Sequence, residues 1–200
     1  MSLAELSELI FPTRCIGCGI LGLSLCSRCR RQWNPHIYRR TVSGLIIYSA
    51  IPYSPIAQKV VLGAKESGYR ICDDLMIEAL SHSLKYFLRE QGAATVVPIP
   101  SKQSAQRKRG RDFIATMTSQ LDVVSHSALR MTKRVRDQSQ LSVDQRARNL
   151  AGAFEVFSLP QGDVILIDDI VTSGATLLEA RRAFARRGVR VKGAITAVMA

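Results

Sequence analysis

The chain has no run approaching the roughly 18 uncharged apolar residues of a membrane-spanning helix. Its first 30 residues lack the basic start, apolar stretch and small-residue cleavage site of a secretory signal. These absences exclude a spanning helix and lead us to expect a cytoplasmic location. Internal repeats and low-complexity linkers are missing too, so 200 residues at 46% hydrophobic composition imply one full core with at most a small satellite module. Aromatic residues make up only 6% of the chain, and Trp33 and the tyrosines are scattered rather than interleaved with lysine and arginine, unlike a base-stacking platform. Acidic residues are few, 16 against 28 basic ones. The net charge of +12 creates a field that favours phosphate-bearing partners, from nucleotides to DNA, without choosing among them.

Cysteine is nearly absent from the body, where Cys72 stands alone, but Cys15, Cys18, Cys26 and Cys29 fall close together near the start. In a reducing compartment such clustering argues for metal before disulfides. Two C-x2-C units separated by seven residues supply two chelating knuckles for a tetrahedral four-cysteine zinc site, with Gly17 and Gly19 permitting the tight first knuckle. A redox dithiol would need one such unit beside a strand-helix-strand, not two in a glycine-rich head. Residues 1 to about 35 show no periodic stretch long enough for a core, so metal coordination is expected to supply much of the folding free energy of a zinc-binding head over 1–40, ahead of a main domain over 41–200.

In the main domain, 45–53 reads as a strand ending near Pro52, while 55–65 and 73–91 have apolar spacing suited to helices, with Asp73 and Asp74 near the start of the second. Residues 94–100 read as a buried strand, followed by a basic loop, a helix at about 111–121 and a polar stretch over 130–141. Ser142 and Gln145 fit a capping box for a helix running to Leu150. Residues 163–168 form a continuous apolar strand, 176–187 an amphipathic helix stopped by Gly188, and 189–200 begin another strand. This alternation predicts an α/β fold, a parallel sheet flanked by helices.

The most informative segment is VILIDDIVTSGAT, 164–176. In open parallel sheets ligands sit beyond the carboxyl ends of the strands, where Asp168 and Asp169 are expected to emerge, and packing explains two adjacent carboxylates there poorly. Thr172, Ser173, Gly174, Ala175 and Thr176 then turn into a helix, offering hydroxyls and free N–H groups at its positive end, which makes a phosphate cradle. Gly174 removes a side chain where backbone must approach an oxyanion. Acids beside such a loop suit a sugar phosphate, since they can accept hydrogen bonds from ribose hydroxyls or support Mg²⁺. A Walker B strand also ends in two acids, but the chain contains no G-x-x-x-x-G-K-[ST] segment.

VILIDDIVTSGAT resembles the phosphoribosyl pyrophosphate signature of type I phosphoribosyltransferases. That resemblance implies ribose contacts for Asp168 and Asp169, our candidate catalytic pair, and phosphate contacts for Thr172 to Thr176. Together with the FPTRCIGCG head, VPIPSKQSAQRKRGRDF and QLSVDQRARNLAGAF, it is similar over nearly the full chain to the ComF/GntX family of competence-associated phosphoribosyltransferase-like proteins. The resemblance implies a type I phosphoribosyltransferase-like fold, binding of phosphoribosyl pyrophosphate with Mg²⁺, and a link to DNA uptake or nucleotide metabolism, with competence-machinery proteins as partners. It also places pyrophosphate near Pro98 to Lys102, including Ser101, with Arg107, Lys108, Arg109 and Arg111 nearby. Lys65 matches a lysine-glycine element loosely. A mobile hood would span Arg134, Arg136, Asp137, Gln140, Arg146 and Asn149. The chain reads RGRDF where the family commonly has RGFNQ, so asparagine and glutamine contacts have no counterpart here.

If the protein is a transferase, Mg²⁺ and basic residues would neutralise the departing pyrophosphate while the acid pair orients ribose and stabilises charge at C1′. Two other readings stand beside it: a non-catalytic module that handles single-stranded DNA, and a regulator that senses phosphoribosyl pyrophosphate. His36, His82 and His126 have no metal spacing and no nucleophile beside them, so they belong to none of these sites.

Overall fold

A strand with no polar side chain on either face must lie in a sheet covered on both sides, and Val164 to Ile167 impose that condition on this chain. The structure, a computed structural model, describes residues 13–132 and 150–200. A short helix α1 (Ser27–Gln32) precedes strands β1 (Tyr38–Val42) and β2 (Leu45–Pro52), helix α2 (Pro55–Leu62), a π-helical turn (Gly63–Ser67) and the long helix α3 (Arg70–Gln91). Then come β3 (Thr95–Pro98), α4 (Gln103–Arg109), α5 (Phe113–Thr118), β4 (Leu129–Met131), β5 (Phe154–Val156), β6 (Val164–Val171), α6 (Ala175–Ala185) and β7 (Val191–Met199).

Five strands form one sheet in the order β1-β2-β7-β6-β3. The pairs β2–β7, β7–β6 and β6–β3 are parallel, whereas β1 joins β2 antiparallel at the edge. The parallel sheet expected from the sequence is therefore a mixed α/β sheet. Its extra strand has a local cause: Ser43 and Gly44 both take positive φ, 47° and 76°, the geometry of a tight two-residue hairpin turn that folds β1 back onto β2. A separate antiparallel ribbon pairs β4 with β5.

Alternation along the strands divides the core into two layers. Ile165 and Ile167 of β6 pack with Val96, Ile195 and Ala197 against α2, α3 and α5. Val164 and Leu166 pack with Ile47, Val97 and Ala194 against α6 and the β4–β5 ribbon. Helix α3 buries Cys72, Leu75, Met76, Ala79, Leu80, Ser83, Leu84 and Phe87, a three-and-four spacing that lays one apolar stripe on the sheet. At its far end Lys192 Nζ donates to the carbonyls of Gln91 and Ala93, both at 3.0 Å, where a helix carboxyl end favours a cation.

Several boundaries differ from expectation. The helix predicted at 55–65 closes at Leu62 and continues as the π turn. The helix predicted from 73 starts at Arg70, so Asp73 lies in its first turn. The helix predicted at 111–121 is the shorter α5, with α4 ahead of it, and the two are separated by Gly110 at φ 70°. Met131 ends a strand where a polar stretch is predicted; residues 133–141 of that stretch and the capping box at 142–145 lie outside the described residues.

The cysteine head is attached to the helical layer. Trp33, fully buried, shares one core with Cys15, Cys29, Ile56 and the buried face of α3. Arg30 pairs with Glu78 of α3, and Lys59 of α2 donates to the Gly17 carbonyl.

Close approach of α3 to β7 depends on Gly193. A Cβ there would lie 2.5 Å from Phe87 Cε2 and 2.7 Å from the Ile46 carbonyl oxygen. Gly193→Ala is expected to lower stability by about 1–3 kcal/mol, through overpacking of a site that cannot relax, and urea unfolding at unchanged m checks it.

Candidate functional site

Strand β6 carries four apolar residues and then two acids. The sequence ends the strand at Asp168, with both acids emerging there; in the structure both lie within β6, since Asp168 is opposite Thr196 and pairing continues to Val171 opposite Met199. Both border a pocket of about 290 Å³. Its wall brings together four separated stretches: Lys65 from the π turn, Ser101, Lys102 and Arg109 from the basic segment, the acid pair from β6, and Thr176 from α6. Ile99, Ile114, Met131, Leu150 and Phe154 supply apolar surface.

The acids differ in surroundings. Asp169 is 5% exposed, and its Oδ2 is ion-paired with Lys65 Nζ. π-helical turns of this kind are frequent at functional sites, and here the turn presents Lys65 to the pocket. Burial first, then the neighbouring Asp169 carboxylate, pushes Asp168 well above the usual carboxylate range, while Lys65 acts in the opposite direction. Asp168 Oδ1 accepts the Asp169 N–H at 2.9 Å.

After β6 the chain turns at Gly174, whose φ of 76° is the left-handed conformation glycine tolerates best. Thr172 to Thr176, with Asp168, line a small recess of about 30 Å³ beside the main pocket. The backbone N–H groups of Ser173 and Gly174 have no partner among the described residues, and the Ala175 N–H reaches only Ser173 Oγ at 3.4 Å. Free donors at the start of an 11-residue helix are what an anion needs.

Arg40 of β1 is a residue that sequence reasoning misses. Its Nη1 donates to the Thr172 carbonyl at 2.9 Å. The C=O and N–H of one trans peptide point in opposite directions, so holding the Thr172 carbonyl on the β1 side turns the Ser173 N–H away from it. Val42 closes the same side, 3.3 Å from where a Gly174 Cβ would stand. No local pattern could reveal this contact, which joins residues 132 positions apart.

The basic segment divides. Arg109 lines the pocket and donates to Glu66 at 2.8 Å, and Lys108 meets the other oxygen of Glu66 at 2.7 Å. Lys108 and Arg109 together hold that carboxyl down at about 2. Arg111 stands outside the pocket wall: it grips both oxygens of Asp73, at 2.8 and 2.9 Å, and the Ala64 carbonyl, which fixes the π turn against the start of α3. Arg107 is exposed and does not line the pocket. Arg136 lies outside the described residues.

At the head, Cys15, Cys18, Cys26 and Cys29 converge so that their sulfurs lie within 4.8 Å of one another. Thiolate coordination at about 2.3 Å would set neighbouring sulfurs roughly 3.8 Å apart, so the cluster is able to chelate one metal ion. Burial opposes ionisation of Cys15, but the N–H groups of Cys26, Cys18 and Gly17 outweigh it and bring the thiol down to about 6. Burial and the three neighbouring cysteines push Cys29 up to about 12. Gly17 is required because a Cβ there would lie 2.6 Å from Cys29 Sγ.

No family model matches the chain, and no curated protein matches it.

The folded state holds the Asp168 proton more tightly than the unfolded chain does. Its stability contribution is full below an unfolded carboxyl pKa of about 4 and falls as pH rises through the raised folded value. Asp168→Asn keeps an acceptor for the Asp169 N–H and removes that loss. At pH 8 the variant is expected to be more stable than the native chain by on the order of 1 kcal/mol, a few degrees in Tm, and the gain should vanish near pH 4. Thermal melts across pH check it.

Proposed function

We propose that this protein binds phosphoribosyl pyrophosphate with Mg²⁺ across the pocket that holds Asp168 and Asp169 and the adjoining recess of Thr172 to Thr176, as a phosphoribosyltransferase-like protein of the ComF/GntX type. The observation that carries the reading is a pair of adjoining hollows that share Asp168 and Thr176: a carboxylate pair and a set of cations line the larger, and a helix start with free N–H groups lines the smaller, all drawn from distant parts of the chain. Those are complements of ribose hydroxyls, a 5′-phosphate and a pyrophosphate respectively.

In this reading the Ser173 and Gly174 N–H groups and the Thr176 hydroxyl hold the 5′-phosphate. Asp168 and Asp169 accept from the ribose hydroxyls, and Ser101, Lys102, Arg109 and Lys65 face the pyrophosphate. Mg²⁺ would supply charge neutralisation of the pyrophosphate oxygens when bound. Lys65 pairs with Asp169 in the free protein, so one of the two acids already has a cation beside it before ligand arrives. No covalent nucleophile is required, and an oxocarbenium-like C1′ would be stabilised by the acids below it. A role in handling transforming DNA or in nucleotide metabolism accords with the resemblance of the sequence and with the net charge of +12.

Calorimetric titration with phosphoribosyl pyrophosphate and Mg²⁺ tests the site. The native chain should bind. Asp168→Asn/Asp169→Asn should lose about a hundredfold in affinity, the equivalent of two charged hydrogen bonds, and Arg40→Gln about tenfold through the disordered Thr172 peptide. Absence of binding to the native chain would refute the reading. Pyrophosphate release with one of a panel of nucleobases would make it a transferase, whereas binding without release would make it a sensing or DNA-handling protein.

We assign the four-cysteine cluster to zinc in a structural role, on the all-sulfur donor set and the closeness of the four sulfurs. Elemental analysis should give one zinc per chain. Because Cys29 and Trp33 lie inside the main core, stripping the metal should destabilise the whole domain by several kcal/mol, about 3 or more. Cys29→Ser, at a buried sulfur, should cost more than Cys18→Ser, at an exposed one; chelator-dependent melts compare them.

A further inference from the structure

Between the two cysteine knuckles the chain runs Gly19-Ile20-Leu21-Gly22-Leu23, and its three large apolar side chains point outward, with Ile20 59%, Leu21 52% and Leu23 57% exposed. Both glycines adopt positive φ, 77° and 98°, and a Cβ built on either would meet nothing within 4 Å. The segment is therefore a tip standing in open space. It is also held firmly at its base: the Cys15 N–H donates to the Ile20 carbonyl at 2.9 Å, the Gly22 N–H to the Thr13 carbonyl at 2.9 Å, and Arg14 bridges to Leu21 as a short antiparallel pair.

The charged residues that flank this tip along the described chain, Arg14 and Arg28, are both basic. No acidic residue occurs between Glu8 and Glu66 in the sequence. Arg14 lies beside Leu21 through the backbone bridge, and exposed Arg28 shares a surface hollow with Ile20, Cys18 and Cys26. Exposed Arg31 comes next on α1.

We propose that this apolar tip with its arginine rim docks the protein onto an anionic phospholipid surface, with Ile20, Leu21 and Leu23 entering the headgroup–acyl boundary and Arg14, Arg28 and Arg31 meeting lipid phosphates. A convex tip of three side chains is too small to anchor a protein interface, which buries roughly 800 Å² on each partner. Shallow insertion combined with basic residues at an anionic surface needs no such area and gives reversible peripheral binding. A base held by backbone hydrogen bonds favours insertion because the tip is already in its inserted shape and loses little conformational freedom on binding. This inference stands apart from the pocket on the sheet edge and does not depend on what that pocket binds.

Sedimentation with phosphatidylcholine vesicles containing phosphatidylglycerol, compared with pure phosphatidylcholine vesicles, tests it on the full chain. The native protein should pellet with the anionic vesicles and not with the neutral ones. Ile20→Ser/Leu21→Ser/Leu23→Ser should weaken binding by roughly tenfold or more, and Arg14→Gln and Arg28→Gln by about fivefold each. Metal content and melting temperature verify that the variants remain folded. As a second measurement that leaves the tip apolar, Leu21→Trp should shift its fluorescence to the blue on addition of anionic vesicles, while buried Trp33 stays constant. Failure of the native chain to bind anionic vesicles, binding by the triple-serine variant equal to native, or an unshifted Leu21→Trp emission would each overturn the proposal.

Discussion

The structure depends on strand β6 being wholly apolar for four residues and then acidic for two without leaving the sheet. Val164 to Ile167 can be buried on both faces only if helices and the ribbon cover both sides, which dictates the layers. The same strand then carries Asp168 and Asp169 to the sheet's carboxyl edge, where every group in the pocket is arranged around them. Two carboxylates side by side at low exposure repel each other; Lys65 on Asp169 offsets part of that repulsion, while burial and the neighbouring charge push Asp168 well above the usual carboxylate range.

The cations around the acids are sorted by second partners. Glu66 engages Lys108 and Arg109, and Asp73 engages Arg111, so the basic segment contributes one arginine to the pocket wall and uses another to lock the π turn that carries Lys65. Positions adjacent in sequence thus acquire different duties from where the acidic side chains of α3 and the π turn fall. The edge strand β1 adds a further constraint from the opposite side, orienting the Thr172 peptide through Arg40.

The head is bound to this arrangement rather than hung from it. Cys15, Cys29 and Trp33 share the apolar layer with α2 and α3, and Lys59 and Arg30 tie both knuckles to those helices. Ordering of the cysteine cluster and packing of the helical layer are consequently coupled, although the cluster and the pocket share no residue.

By itself the sequence determined the features that local periodicity and spacing encode. The double C-x2-C unit, the buried run 164–167, the amphipathic spacing of α3 and the glycine turn at 174 each express their physics within a few residues, and each is present in the structure. Helix and strand ends moved wherever a distant contact intervened: β6 extends past the acids because β7 continues to pair with it through Met199, and α2 loosens into a π turn held by Arg111. Only the tertiary structure could decide that β1 exists as an antiparallel edge, that Arg111 faces Asp73 rather than the pocket, and that Arg40 holds a loop 132 residues away. Charge and hydrogen-bonding capacity are legible in a residue's identity, but its partner is chosen by the packing of elements far apart in the chain, and no local pattern encodes that choice.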